Sequence, residues 1–135
     1  MAATSGTDQL SARLVKLLET GSAASIVACL APAAVLWHND DKQELDAVAG
    51  VEAIAGLHEL VTDVRVEVCE LVPLPTGFLQ RHVIRGTVKR TGTPLAAHHC
   101  IVVRTAGALI TRIDEYVDPT FATQLGLVAP KEVSP

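Results

Sequence analysis

Residues 78–117 read FLQRHVIRGTVKRTGTPLAAHHCIVVRTAGALITRIDEYV, and their punctuation decides the fold. Thr91–Thr93 turns the chain through Gly92, and Ala106–Gly107 turns it again. Between these breaks the residues are β-branched and aliphatic rather than spaced for a helix. Three long antiparallel strands follow, over Phe78–Arg90, Pro94–Arg104 and Ala108–Val117. On the N-terminal side, Val64, Val66 and Val68 alternate with Arg65, Glu67 and Cys69 in a half-buried strand that ends at Pro73, with Pro75–Gly77 as the turn into Phe78. On the C-terminal side Asp118-Pro119 is a helix-start signal, a carboxylate cap before a proline, and predicts a short helix to Leu125. Ala129–Pro135 reads as a loose tail.

The first half of the chain has the other period. Leu10, Leu14, Leu17 and Leu18 recur at helical spacing between Thr7, a cap, and Gly21, a stop. Ile26, Val27 and Leu30 repeat the pattern until Pro32, which cannot continue a helix. Ala34–His38 reads as a strand and Asn39–Asp46 as a polar loop. Gly50 introduces a helix whose stripe is Ile54, Leu57, Leu60 and Val61, ending near Asp63. Helices on one side and an antiparallel meander on the other make an α+β layout, and long strands curling over amphipathic helices form a cone with an apolar interior suited to a small molecule.

Composition narrows the function classes. A chain of 135 residues with 49% hydrophobic residues can bury one core, so 1–135 reads as a single domain with 1–6 and 129–135 as loose ends. Eleven Lys and Arg against 15 Asp and Glu, without a basic block, argue against nucleic acid as a partner. No apolar run approaches the length of a membrane span, and Met1–Thr7 lacks the layout of a secretory signal, so no membrane partner and a cytoplasmic location are expected. Cys29, Cys69 and Cys100 lack paired spacing and read as small core residues, and the histidines show no metal-ligand spacing. Neither a metal nor a glycine-rich phosphate cradle is expected.

Leu30–Asn39 (LAPAAVLWHN), Gly50–Ile54 (GVEAI) and Ile110–Asp118 (ITRIDEYVD), in this order of elements, resemble the nuclear-transport-factor-2-like superfamily, in its SnoaL-like and limonene-epoxide-hydrolase-like branch. The resemblance covers roughly Leu10–Leu127. It implies a cone-shaped, cystatin-like curved antiparallel sheet wrapped on N-terminal helices around a central apolar pocket. It also implies a cofactor-independent acid/base enzyme (isomerase, cyclase, dehydratase or hydrolase) on a small apolar, oxygenated molecule. Alternatively, it implies a non-catalytic homodimeric binding or scaffold protein of the same fold. The epoxide-hydrolase pattern is incomplete: Trp37 stands for its Tyr, Asn39 and Arg81 match, Glu115 stands for the last-strand Asp, and Val83 replaces the other Asp. The ketosteroid-isomerase pattern finds no oxyanion-donating Tyr beside Leu14 and Leu17, although Asp40 or His38 near the cone mouth is a conceivable base.

Strict alternation puts Glu115 on the inward face with Ile113 and Val117, where a carboxylate needs a partner or a raised pKa. Arg81 is the expected partner, and a structural ion pair and an acid/base site remain equal readings. Alternation does not orient the Arg81 strand, since Leu79 and Val83 lie on one face and Phe78, Ile84 and Val88 on the other. The family register turns Arg81, Val83 and Arg85 into the cone and selects His98 over His99. On that register the catalytic set is Glu115, Arg81 and His98, with Trp37, Asn39, Val83, Ile113 and Val117 around the substrate. For Asn39, turn chemistry is an equal reading, and for His98 a rim position competes. His82 and His58 read as surface residues. Ile101, Val103 and Tyr116 are assigned to an outer sheet face that pairs two copies.

Overall fold

A computed structural model describes residues 6–127. The elements run α1 (Gly6–Thr20), α2 (Ala24–Val27), β1 (Leu30–His38), β2 (Glu44–Asp46), α3 (Ala47–Ala53), a 3-10 turn at Ile54–Gly56, α4 (Leu57–Leu60), β3 (Val61–Leu74), β4 (Gly77–Val88), β5 (Pro94–Ala106), β6 (Leu109–Tyr116) and α5 (Phe121–Gln124). The six strands form one sheet in the order β2-β1-β6-β5-β4-β3. The α+β layout and the meander are as expected, but the sheet is mixed, because β1 adds to β6 in parallel with Leu36 opposite Ile113. The sheet curves across the helices without closing.

Each boundary shift has a local cause. Pro32 lies inside β1 rather than ending a helix, and the β1–β6 pairing is irregular between Leu30 and Val35, where a residue without an amide proton interrupts the ladder. Glu44–Asp46, expected as loop, pairs with Val35–Trp37 at the sheet edge. Asp46 then starts α3 upstream of Gly50 by accepting hydrogen bonds from the Val48 and Ala49 amides at 2.9 and 3.2 Å. Asp118 makes a turn rather than capping a helix that starts at Pro119, since its Oδ1 accepts from the Thr120 amide and hydroxyl, and α5 begins only at Phe121. Gly77 enters β4 at φ 149°, where a Cβ would land on the Val103 carbonyl, so the turn tolerates only glycine there. The expected tail at Ala129–Pro135 lies outside the described residues.

β3 carries a bulge between Thr62 and Arg65 with Asp63 in the left-handed region, so Val61 and Val64 both face inward. The two-residue turn at Pro75–Thr76 sets Leu74 opposite Gly77, and from there Glu70 opposes Arg81; a further register shift between Glu70 and Val68 then sets Val66 opposite Ile84. The inner face of β4 is therefore Phe78, Gln80, His82, Ile84 and Val88, all buried. This reverses the family register: Arg81, Val83 and Arg85 lie on the outer face. On β5 the inward residues are Ala97, His99, Ile101 and Val103, and His98 faces out. Ile101 and Val103 thus belong to the core and not to an outer pairing surface.

The core is divided. One apolar cluster joins Leu14, Leu17, Ile26, Phe78, Ile101, Ile113 and their neighbours beneath α1 and α2. A second gathers Val61, Ile84, Val88, Leu95 and Leu125. Between them, along the inner face of β4, β5 and β6, runs a polar row of Gln80, His82, His99 and Glu115.

Candidate functional site

The polar row ends in an open cavity of about 290 Å³. Its walls are Leu18, Leu57, Leu60, Ile84, Phe121 and Leu125, and its polar groups are His38, Asp40, His99 and Glu115. A void of about 30 Å³ shares Leu18, Ile54, His99 and Glu115 with this cavity and reaches His82. Concave, mainly aliphatic surroundings with a few convergent polar side chains are the usual form of a small-molecule site.

Glu115 sits between two imidazoles. Its Oε2 is 3.5 Å from His38 Nε2 and its Oε1 is 3.6 Å from His99 Nδ1. Its side chain is 19% exposed, at the cavity floor. Burial pushes its pKa up, but the interaction with His38 and the charge influence of His99, His38 and His82 outweigh burial and hold it below the ordinary carboxylate value. His38 responds in the opposite sense: the Glu115 carboxylate, against the effect of burial, raises its pKa. Parallel pairing of β1 with β6, His38 opposite Glu115, places both on one face at the same level.

Behind this pair the row is fixed by hydrogen bonds. The Ser11 hydroxyl donates to Gln80 Oε1 at 2.6 Å, which points the Gln80 amide nitrogen at His82 Nδ1, 3.0 Å away. That amide can only donate, so the neutral His82 carries its proton on Nε2. Burial keeps His82 neutral and lowers its pKa to about 4. The His82 and His99 rings meet edge to face at 5.9 Å between centroids, and His99 in turn meets Phe121 of α5 at 4.9 Å. Burial also lowers the pKa of His99, against the nearby Glu115 and Asp118.

Of the residues singled out from the sequence, Glu115 and Val117 line the cavity, as do His38 and Asp40, and Glu115 and Ile113 line the small void. Arg81, His98, Val83, Trp37 and Asn39 lie elsewhere. Arg81 is on the outer face, more than half exposed and 3.7 Å from Glu70, so Glu115 draws its partners from histidines instead. His98 is exposed and its amide donates to Asp118. Val83 is buried on the outer face, opposite Glu67 and His98. Trp37 packs edge to face against Tyr116, 5.5 Å between centroids, on the face away from Leu36 and His38. Asn39 resolves as a structural clamp: its amide donates to the Glu115 carbonyl at 3.1 Å and its Oδ1 accepts from the Val117 amide at 2.8 Å. Sequence reasoning missed Ser11, Gln80, His82 and His99. Ser11 had a signal, since it precedes Leu14 and Leu17 at three-residue steps and so falls on the buried stripe of α1. Among the described residues, no group of three His, Cys, Asp or Glu side chains is placed to hold a metal ion.

No protein family profile matches this chain, and no curated protein matches it by sequence. Solved structures do resemble it. A protein of ketosteroid-isomerase-like fold from Catenulispora acidiphila, in complex with trimethylamine, aligns over 94% of this chain and 99% of its own at 18% identity and a TM-score of 0.72. IdmH, a candidate polyketide cyclase from Streptomyces antibioticus, covers 91% of this chain and 99% of its own at 20% identity and a TM-score of 0.76. A candidate polyketide cyclase from Acidithiobacillus ferrooxidans covers 96% and 100% at 18% identity and a TM-score of 0.75. At these identities the likeness is one of fold: the chain has the ketosteroid-isomerase-like fold.

Proposed function

We propose that this protein is a cofactor-independent acid/base enzyme acting on a small, apolar, oxygenated molecule, with Glu115 as the proton-transfer group. The observation that carries this reading is the Glu115 carboxylate set between His38 and His99 at the floor of an aliphatic cavity. Glu115 is ionised at neutral pH and can take a proton from a substrate. His38, held toward its charged form by the same carboxylate, can return one at the cavity mouth. His99 orients Glu115 from the buried side, and Leu18, Leu57, Ile84 and Phe121 hold the apolar body of the substrate. The fold's occurrence among candidate polyketide cyclases fits proton shuffling of this kind, as in isomerisation, cyclisation or dehydration. A cytoplasmic location, from the composition, is part of the proposal.

The test is a turnover assay on steroid-enone isomerisation, epoxide opening and intramolecular aldol closure with wild type and Glu115→Gln. Turnover should fall by about 10²–10⁴ in the variant while thermal unfolding changes little. Equal turnover in both proteins, or none in either, overturns the enzyme reading.

A second reading is a non-catalytic homodimer that binds a ligand or partner. The exposed Tyr116 beside Trp37 on the outer face supports pairing of two copies there. Light scattering distinguishes the dimer from the monomer, and Tyr116→Glu should shift a dimer toward monomer.

A further inference from the structure

His99 Nε2 is, among the described residues, the buried side-chain nitrogen or oxygen that has no hydrogen-bond partner. Its ring is 2% exposed, and its Nδ1 faces the Glu115 carboxylate. A carboxylate only accepts, so the imidazole proton is drawn to Nδ1 and Nε2 is left as a bare acceptor. Buried acceptors are rarely left unpaired, because the lost hydration is not returned. His99 lines both the cavity and the adjoining void, whose volume of about 30 Å³ matches one oxygen-sized group. The rest of the void is largely aliphatic, with Leu14, Leu36 and Ile113 among its walls, and its other polar side chains are Glu115 and His82.

Building on the pocket reading above, we infer that the cavity takes an apolar ligand bearing a hydroxyl or enol, and that this O–H donates to His99 Nε2. A hydroxyl both donates and accepts. It therefore suits a void lined by one acceptor nitrogen and by His82, whose proton the Ser11–Gln80 pair fixes on Nε2. A ketone or ester oxygen alone offers nothing to His99 Nε2, and a developing oxyanion would face the Glu115 carboxylate. The ligand class is thus an alcohol, phenol or enol on a hydrocarbon frame.

The experiment compares 2-naphthol, 2-methoxynaphthalene and naphthalene at pH 7 by calorimetry, together with ¹⁵N-detected histidine NMR. The naphthol should bind about tenfold tighter than the ether or the hydrocarbon and should shift the His99 Nε2 resonance. His99→Phe should abolish that preference. Should that variant not fold, the wild-type series decides alone. If all three bind equally and the His38 resonances move, the hydroxyl subsite is wrong and the pocket stands. If none of the three moves those resonances, the pocket reading fails with it.

Discussion

The two faces of β4 treat polar groups in opposite ways. On the outer face Arg81 and Arg85 lie 3.7 and 3.5 Å from Glu70 and Glu67 of β3, and all four side chains are well exposed. Such pairs gain little, because water already solvates both partners and salt screens them. One residue away, on the inner face, Gln80 and His82 are almost fully buried and each is held by a directed partner. There the cost of leaving a group unpaired is high, so the row Ser11–Gln80–His82 persists only as a matched set. The difference teaches that charge on this sheet is cheap outside and demanding inside, and that the demanding side is the one that faces the cavity.

The comparison can be broken most forcefully with acid. His82 has an ordinary pKa of 6.5 unfolded and about 4 folded, so the unfolded chain binds more protons between those values and stability must fall as pH drops from 6.5 toward 4. The shift corresponds to about 3 kcal/mol, read by urea unfolding at stepped pH, and His82→Phe should remove most of that slope. Next in size is Gln80→Leu, which strands the Ser11 hydroxyl and His82 Nδ1 and should cost about 2 kcal/mol in the same measurement. The contrasting Arg81→Leu should stay within about 0.5 kcal/mol, and a larger loss there than at Gln80 would invert the faces.

A smaller effect sharpens the cavity side. The raised His38 pKa contributes stability that is complete below 6.5 and lost as pH rises through the folded value. The lowered Glu115 pKa contributes stability that is complete above 4.5 and lost as pH falls through its folded value. The pair is therefore fully charged between those limits. An NMR titration should place the His38 midpoint above 6.5, and Glu115→Gln should return it toward the ordinary value.

The elements were largely legible in the sequence because helical and alternating periods each persist over long stretches. The inward Glu115 was legible too, since Ile113 and Val117 leave no choice of face. The faces of β4 and β5 were not. Apolar residues occupy both faces of β4, and His98-His99 presents the same side chain to each. The deciding information is pairwise: the Pro75–Thr76 turn brings Glu70 opposite Arg81, and opposite charges facing each other across an edge pair mark solvent. Periodicity within one strand cannot see its neighbour's register. The His38–Glu115 contact was hidden for a related reason, because it depends on a parallel pairing between the ends of the chain.

That pairing also sets a schedule. Asn39 and Val117, which clamp the ends of β1 and β6, are 78 positions apart. The meander of β3 to β6 closes through short turns, and β1 pairs locally with β2, whereas the ladder of β1 with β6 must bridge the whole meander before it is formed. On a ribosome β1 emerges well before β6 and waits for it. His38 and Glu115 meet only at that closure, so the cavity floor stays unassembled until the last strand of the sheet is out.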